Sequence, residues 1–470
     1  MRSRAPAGAV LAALLVLSAC GDPPAYPTTV TAPPASAPVA CAEAHAVGDR
    51  PPGPADWPVY HRAGDRHGVD PTAGSARTPA PLWGVTLDGA MFAQPLVAQG
   101  LVIEATEHDS VYAFDAATGC QVWRTSLGVS FDVNRHRLQC NNIVPELGIT
   151  STPAVDTQTG TVFAVAFLDP GRYEMDALDL ATGAVRWRHP ITLPGSDVLQ
   201  QLSRPAVALS GGRAYASFGG RAGDCGNYHG FVVGVRGDGR GPDVLFQASV
   251  HREGAVWAPG GPVVLPGGDL LVTTGNTDEV HEYDGSEAVA RLSPDLQRTD
   301  LFAPSNWPHL NQVDLDLGSV GPTLLDGGRV FQVGKEGVGY LLDGDHLGGV
   351  GGQLYAHALS GGCYAIGATA YRPPLVFVPC DHGLTAVRVD AARFDVAWRG
   401  PDFRSGSPIV AGGLVWDYDF EGGFLWAFDP GTGAVRQKVG VGTGEHFVSP
   451  SSSAGRLFVP SGRSLRALAI

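Results

Sequence analysis

Two polar loops, residues 221–230 and 274–287, carry the residue types best suited to holding a metal ion or a polar partner group. Their candidate side chains are Asp224, Asn227, Tyr228, His229, Asp278, His281 and Asp284. Carboxylate oxygens bind hard divalent cations, and imidazole nitrogens bind several others. The loops therefore predict a metal site or a partner-binding face, and the alternative is a solvated insertion without a ligand.

Other chemistries lack their motifs. The sequence has no CxxC pair, no Cys/His pair at metal-ligand spacing, and no glycine-rich loop followed by lysine and a helix. This argues against a structural zinc, a c-type haem and a phosphate loop. A formal net charge of −14 argues against nucleic acid as a partner.

The first residues have the features of an export signal. Two arginines precede an apolar run that ends on Leu17, Ser18, Ala19 and Cys20. Small residues before a cysteine predict a lipoprotein signal over residues 1–19, with a lipid on Cys20. Residues 20–55, rich in Pro, Ala and Thr, are expected to form a flexible tether. The folded part would then be anchored to the outer face of a membrane of the cell envelope.

A repeated pattern organises residues 56–470. Three segments share alternating apolar residues on both sides of Asp-x-x-Thr-Gly: VYAFDAATGCQVW at 111–123, MDALDLATGAVRW at 175–187 and LWAFDPGTGAVRQ at 425–437. The alternation predicts β-strands, and the Asp and Gly between them predict a tight hairpin. The tryptophans that follow, Trp123 and Trp187, are expected to cover the flank of a neighbouring sheet.

Each hairpin follows another predicted strand pair, so four strands form one unit. Weaker copies fall at 203–249, 254–304, 316–359 and 361–400, which makes seven complete units. The C-terminus supplies three further strands, and residues 80–89 supply one. The sequence predicts an all-β, eight-bladed β-propeller of four-stranded antiparallel blades, closed by the N-terminal strand because closure removes exposed sheet edges.

The six cysteines other than Cys20 predict disulfides in an exported protein. The strand assignment places Cys363 and Cys380 beside each other in one blade. It places Cys140 and Cys225 on one face of the ring, which leaves Cys41 for Cys120 on the other. The predicted bonds are Cys363–Cys380, Cys140–Cys225 and Cys41–Cys120.

From Trp57 onward these repeats, with the opening segment at 56–71, resemble the pyrroloquinoline-quinone (PQQ) type of β-propeller repeat family. The resemblance implies two possible branches. One comprises quinoprotein alcohol dehydrogenases, which bind the quinone and Ca²⁺ over the axis. The other comprises non-enzymatic lipoproteins similar to the outer-membrane barrel-assembly scaffold.

The dehydrogenase branch implies a set of site residues. Trp257 resembles the family tryptophan whose ring lies under the quinone. Asn276 resembles the amide ligand of Ca²⁺, and Lys335 resembles the cation that bonds the quinone carbonyls. Asp316 occupies the place of the catalytic base and of a further ligand. The family's vicinal cysteine pair is absent, and its acidic Ca²⁺ ligand in the second blade is replaced near Leu168, where Asp169 would serve only with a shift in register.

We therefore expect a non-catalytic, lipid-anchored module that binds a protein or glycan without a cofactor. The alternative is a PQQ- and Ca²⁺-dependent alcohol or sugar dehydrogenase, or a degenerate relative that still binds the quinone. A third hypothesis, a sensor or carbohydrate binder, depends on the aromatic residues Trp416, Tyr418 and Phe420 on one face of a strand.

Overall fold

The structure is a computed structural model that describes residues 29–42, 51–138, 140–359 and 361–470. The predicted signal peptide and Cys20 lie outside the described residues. Eight sheets of four or more strands surround one axis, and they follow the predicted units except for a short extra strand, Gln201–Leu202, just before the unit predicted at 203–249. The predicted eight-bladed propeller is confirmed.

Blades 1 to 4 each have an inner, two middle and an outer strand. Blade 3 has a second short inner strand, Gln201–Leu202. The strands of blade 1 are Leu96–Ala98, Leu101–Ala105, Ser110–Asp115 and Gln121–Ser126; of blade 2 Ala154–Asp156, Thr161–Leu168, Arg172–Asp179 and Val185–Ile191; of blade 3 Ala208–Ser210, Arg213–Gly220, Phe231–Arg236 and Val244–Gln247; of blade 4 Val263–Val264, Leu270–Thr273, Val289–Leu292 and Arg298–Ala303.

Blades 5 to 8 repeat this order. The strands of blade 5 are Thr323–Leu325, Arg329–Gln332, Val338–Asp343 and Tyr355–Ala358; of blade 6 Ala370–Arg372, Leu375–Cys380, Gly383–Val389 and Phe394–Arg399; of blade 7 Ile409–Ala411, Leu414–Asp419, Phe424–Phe428 and Val435–Gly440; of blade 8 Ser451–Ser453, Arg456–Ser461, Ser464–Ala469 and Ala80–Thr86. Because Ala80–Thr86 pairs with Ser464–Ala469, the N-terminal strand closes the ring as predicted.

The remaining elements lie between or beside the blades. Gly349–Val350 adds a parallel strand to the outer edge of blade 4. Phe131–Asp132 pairs with Glu146–Leu147 between blades 1 and 2. The helices are Val133–His136 and Trp307–Val313, and the 3₁₀ turns are Val198–Gln200, Leu317–Ser319 and Asp326–Gly328.

Each of the three Asp-x-x-Thr-Gly hairpins packs its glycine against a tryptophan of the preceding blade. In blade 2, Asp179 accepts hydrogen bonds from the backbone and hydroxyl of Thr182. Gly183 has a φ of 70°, and a Cβ there would come within 2.6 Å of the Trp123 ring of blade 1. Trp123 also donates to the Leu180 carbonyl at 2.9 Å. Glycine is therefore required both by the turn and by the indole packed on it.

One segment, residues 57–71, here called the axial segment, connects all the blades. It contacts the innermost strand of seven blades, and in blade 3 it bonds Val207, the residue before that strand. Its partners in order from blade 1 to blade 8 are Val97, Val155, Val207, Val264, Leu324, Tyr371, Val410 and Ser452. Trp57, Tyr60, His61 and Arg66 are buried in it. The axial segment therefore fills the axis at the level of the inner strands.

Residues 29–42, here called the N-terminal strap, differ from the predicted flexible tether. Val30–Thr31 pairs with the outer strand of blade 7, Ser36 bridges Val85 of blade 8, and Ala40 bridges Gln121 of blade 1. The sequence shows no apolar period here because the strap binds through its backbone. It satisfies the free N–H and C=O groups that outer strands present.

Cysteine pairs join the strap and two other places in the ring. The bonds are Cys41–Cys120, Cys140–Cys225 and Cys363–Cys380, with Cα–Cα distances of 5.0, 5.7 and 5.0 Å. They match the three pairs expected from the strand assignment.

The aromatic strand that suggested a sugar platform is an interior strand. Trp416 and Tyr418 are 0% exposed and Phe420 is 8% exposed. These rings pack with blade 8 in the same hydrophobic cluster. The hypothesis of a carbohydrate platform at these residues is wrong, because a sugar could not reach them.

Within the described part of the chain, no helix has the length and apolar character needed to cross a bilayer.

The buried carboxyl of Asp417 in blade 7 gives a prediction about pH. It accepts a hydrogen bond from the Ser405 hydroxyl at 2.6 Å, and burial raises its pKa to about 7. An aspartate in an unfolded chain has a pKa of about 3.9. Between these values the folded chain binds more protons, so its stability falls as pH rises and levels off above about pH 7. We expect Asp417→Asn to increase stability at pH 8 by about 1–3 kcal/mol.

Urea unfolding at pH 5 and pH 8 measures this effect. Asp390→Asn is the control, because Asp390 lies in an exposed turn where backbone amides lower its pKa. An equal loss of stability between the two pH values in wild type and Asp417→Asn would contradict the prediction.

Candidate functional site

A cavity of about 250 Å³ opens at the loop-rich end of the axis. Its walls come from the loops that precede the inner strands and from the loops between the middle strands. All four main residues predicted from the resemblance line it: Trp257, Asn276, Asp316 and Lys335. Because the axial segment fills the axis below, the cavity is reached from the loop-rich face.

The carboxylates of this cavity are placed by the end of helix Trp307–Val313. Asp314 ends the helix in a left-handed conformation with a φ of 55°, and its N–H donates to the Leu310 carbonyl. Asp316 follows and accepts a hydrogen bond through its backbone carbonyl from Lys335 N–H at 2.9 Å. A Cβ at Gly334 would lie 2.3 Å from that carbonyl oxygen, so the close approach of the two loops requires glycine.

Lys335 is held by two carboxylates. Its Nζ lies 2.7 Å from Asp314 Oδ1 and 2.7 Å from Asp316 Oδ2. Its side chain is 9% exposed, and that of Asp316 is 4% exposed. The two carboxylates raise the pKa of Lys335 against the opposing effect of burial, so the ammonium stays charged. The same ammonium lies 5.4 Å from the centre of the half-buried Trp257 ring.

Asn276 bridges two acidic residues. Its backbone N–H donates to Asp316 Oδ1 at 2.7 Å, and its side-chain amide donates to Glu253 Oε2 at 3.2 Å. Burial and neighbouring carboxylates raise the pKa of Glu253 to about 7, although an ion pair with Arg252 opposes the shift. Glu253 was not predicted, because it precedes Trp257 in a loop and no local motif marks it.

The polar loop 221–230 forms part of the cavity rim. Asp224 lines the cavity and accepts a hydrogen bond at 2.5 Å from the hydroxyl of Tyr228, which is fully buried. The Cys140–Cys225 disulfide ties this loop to the long connection between blades 1 and 2, which contributes Asn142 to the same wall.

Other predicted residues have local roles away from the cavity wall. Asn227 donates to the Gly195 carbonyl, His229 bonds the His251 carbonyl, and Asp284 accepts from the Ser249 hydroxyl. Asp278 is half-exposed and lies 3.6 Å from Arg252. These four residues belong to the same loops, but they do not converge with the cavity residues on one group.

The structure does not place Asp169 at the cavity. Its carboxylate contacts Arg135 and His136 on the connection between blades 1 and 2. These contacts lower the pKa of Asp169. Asp169 does not line the cavity, and the acidic side chains that contact Asn276 are Glu253 and Asp316.

Two arginines also line the cavity and were not predicted. Arg204 precedes the inner strand of blade 3, and Arg221 begins the polar loop of the same blade. Both are almost fully buried. Nothing in their sequence context distinguishes them, because the fold alone brings them to the axis.

The described ranges contain no group of three His, Cys, Asp or Glu side chains arranged to hold a metal ion. Any divalent cation near Asn276 would depend on Glu253 and Asp316 together with amide oxygen.

The closed ring of eight blades makes this chain a β-propeller, and its repeats are similar to those of the PQQ type. A family model described as "Outer membrane protein assembly factor BamB" matches residues 71–287. The curated protein of that name from Burkholderia pseudomallei (strain K96243) is 33% identical over 113 residues, which are 24% of this chain and 25% of that protein. The match thus spans a quarter of that relative's length.

Solved structures show the same fold. Quinohemoprotein alcohol dehydrogenase ADHIIG from Pseudomonas putida HK5 aligns with a TM-score of 0.68 at 14% identity, covering 92% of this chain and 82% of that one. BamB from Moraxella catarrhalis aligns with a TM-score of 0.56 at 15% identity, covering 84% and 98%. The chain is therefore similar in fold to both of the branches that its repeats resemble.

Proposed function

We propose that this chain is a non-catalytic binding or scaffold propeller of the cell envelope, with its partner received on the loop-rich face that contains the cavity. The similarity to BamB over residues 71–287 supports this choice. Attachment to a membrane through Cys20 stays a prediction.

The observation that carries the proposal is the set of contacts made by the two carboxylate oxygens of Asp316. One of its oxygens accepts the Asn276 N–H, and the other lies 2.7 Å from the Lys335 ammonium. Both oxygens of Asp316 are therefore engaged by neighbours within the chain. Lys335 is also the residue whose ammonium would bond the quinone. Its charge is already paired with the carboxylates of Asp314 and Asp316.

A second candidate is a PQQ- and Ca²⁺-dependent alcohol or sugar dehydrogenase. The convergence of Trp257, Asn276, Asp316 and Lys335 on one cavity favours it. In that case Trp257 and Lys335 would hold the quinone, whereas Asn276, Glu253 and Asp316 would supply oxygens to the cation. The quinone would supply a two-electron acceptor, and the chain would orient it and exclude water.

The fit is partial. Trp257 is half-buried and offers a flat ring to the cavity. The acidic residue that the family supplies from its second blade has no counterpart at the cavity, and Asn276 turns its amide N–H₂ toward Glu253. A calcium ion bound here would share the Glu253 carboxylate with Arg252 and Asn276.

Calorimetric titration of the purified full-length protein with PQQ, with and without Ca²⁺, separates the two candidates. We expect no Ca²⁺-dependent heat. Micromolar or tighter Ca²⁺-dependent binding that is lost in Asn276→Ala or Lys335→Ala would overturn the scaffold proposal.

The sequence offers a matched control. It has only two lysines, Lys335 and Lys438. Lys438 lies in blade 7 over the rings of Phe424 and Trp426, outside the cavity. Any quinone binding that depends on the cavity must persist in Lys438→Ala, which removes the same charge.

A further inference from the structure

The cavity floor, here defined by Arg204 and Arg221, holds two cationic side chains without an ion-pair partner among the described residues. Arg204 is 6% exposed and Arg221 is 2% exposed, and both line the cavity. Neither forms an ion pair within 4.0 Å with any described carboxylate. They therefore differ from Lys335 in the same cavity, whose charge is matched by Asp314 and Asp316.

The hydrogen bonds of the two guanidinium groups are also incomplete. Arg204 donates one terminal nitrogen to the His446 carbonyl at 2.6 Å, and Arg221 donates Nε to the Leu199 carbonyl at 2.6 Å. One further nitrogen of Arg204 and both terminal nitrogens of Arg221 have no hydrogen-bond partner among the described residues.

Aromatic rings hold both groups in place. The Arg204 guanidinium lies 4.9 Å from the Phe92 ring centre and 5.3 Å from that of Phe447, and Arg221 lies 5.1 Å from Phe167. Ring faces stabilise a cation only modestly and accept few hydrogen bonds. They fix the planes of the guanidinium groups without neutralising them.

The nearby carboxyl groups offset these charges only in part. Burial lowers the pKa of Arg204 to about 10, so the group is still cationic at neutral pH. Glu107 acts on both arginines, but burial raises its own pKa to about 7. Glu445 acts on Arg204, and burial raises its pKa as well. A buried charge normally has a full partner, because burial without one is costly.

We propose that the floor of the cavity, at Arg204 and Arg221, binds an oxyanion carried by the ligand or partner: a carboxylate or a phosphate group. This inference rests on the proposed function, because it specifies the chemistry of what the same cavity receives. Guanidinium groups suit such groups because their N–H donors form paired, charge-assisted hydrogen bonds with planar oxyanions.

The cavity then has two regions of different charge. At one wall two carboxyl groups, Asp314 and Asp316, surround the single cation Lys335, whereas the floor keeps excess positive charge. An acidic group entering from the loop-rich face would pass Trp257 and Phe447, whose rings can pack on the apolar part that carries it. The volume of about 250 Å³ suits a small anion or the end of an extended chain.

Thermal unfolding of the full-length protein in sodium acetate, sodium phosphate or sodium chloride, at equal ionic strength and pH 7, tests the inference. A bound ligand raises the unfolding midpoint with its concentration. We expect acetate, phosphate or both to raise the midpoint above that in chloride. A response to acetate alone identifies a carboxylate, and a response to phosphate alone identifies a phosphate group.

Variants locate the effect. Arg204→Gln should lower the apparent affinity for the stabilising anion at least tenfold. Arg204→Lys keeps the charge but loses the paired N–H donors of the guanidinium group, so it should lower the affinity less. Arg393→Gln is the control, because Arg393 is 74% exposed on the outer strand connection of blade 6. If Arg204→Gln does not fold, Arg204→Lys and Arg221→Gln supply the same comparison.

Equal midpoints in all three salts, or an anion response unchanged in the folded Arg204 variants, would overturn the inference. The scaffold proposal and the anion-binding inference can each be overturned without the other. Ca²⁺-dependent quinone binding overturns the scaffold proposal and leaves the anion response in place, whereas loss of the anion response leaves the scaffold proposal untouched.

Discussion

Trp57→Ala is expected to lower the free energy of unfolding by about 3–5 kcal/mol, the usual cost of removing a fully buried indole. Trp57 is 0% exposed at the start of the axial segment. Its Nε1 donates to Gln94 at 3.0 Å, and its backbone exchanges two hydrogen bonds with Val97 of blade 1. The substitution therefore leaves a cavity in the core and removes one of the two hydrogen bonds that Gln94 Oε1 accepts, the other coming from the His61 N–H.

Urea unfolding followed by circular dichroism measures the change. Leu82→Ala is the control, because Leu82 is 42% exposed on the closing strand and its truncation should cost no more than about 0.5 kcal/mol. If Trp57→Ala cost as little as Leu82→Ala, the axial segment would not be an integral part of the core.

Lys335→Met is the second substitution with a large expected effect. Among the described residues, Lys335 is the one cation within hydrogen-bonding distance of the buried Asp316 carboxylate, so its removal leaves that charge uncompensated. Breaking a buried ion pair on one side costs about 3–5 kcal/mol. We expect a loss of this size at pH 7, measured by urea unfolding.

A double variant tests the cause. Adding Asp316→Asn removes the unpaired charge and keeps an oxygen that can accept the Asn276 N–H, so it should restore more than half of the lost stability. If the double variant were no more stable than Lys335→Met alone, packing and not charge would explain the loss.

Most of the fold could be predicted because its signals are local. Each Asp-x-x-Thr-Gly hairpin can be recognised from about a dozen consecutive residues, and Trp123 follows Gly119 at the spacing of the repeat. Ring closure by residues 80–86 also followed from counting strands, because the last unit lacked one. The strap at 29–42 could not be predicted, since pairing through the backbone leaves no mark on side-chain pattern.

The candidate site was only partly predictable for the same reason. Trp257, Asn276, Asp316 and Lys335 were found because they match a family pattern. Arg204, Arg221 and Glu253 match none. The two arginines reach the cavity, and Glu253 reaches Asn276, only when blades 3 and 4 and their loops are assembled. Asp169, which was predicted to serve only with a shift in register, does not line the cavity and instead pairs with Arg135 and His136 on the connection between blades 1 and 2.

The contacts of the axial segment also bear on how this ring comes apart. In an open array of repeats, a terminal unit can detach while the others persist, because each repeat touches only its neighbours. Here the axial segment, residues 57–71, contacts every blade, so no blade can detach without losing contacts to a segment that the other blades share. We expect all eight blades and the axial segment to unfold together in one cooperative transition.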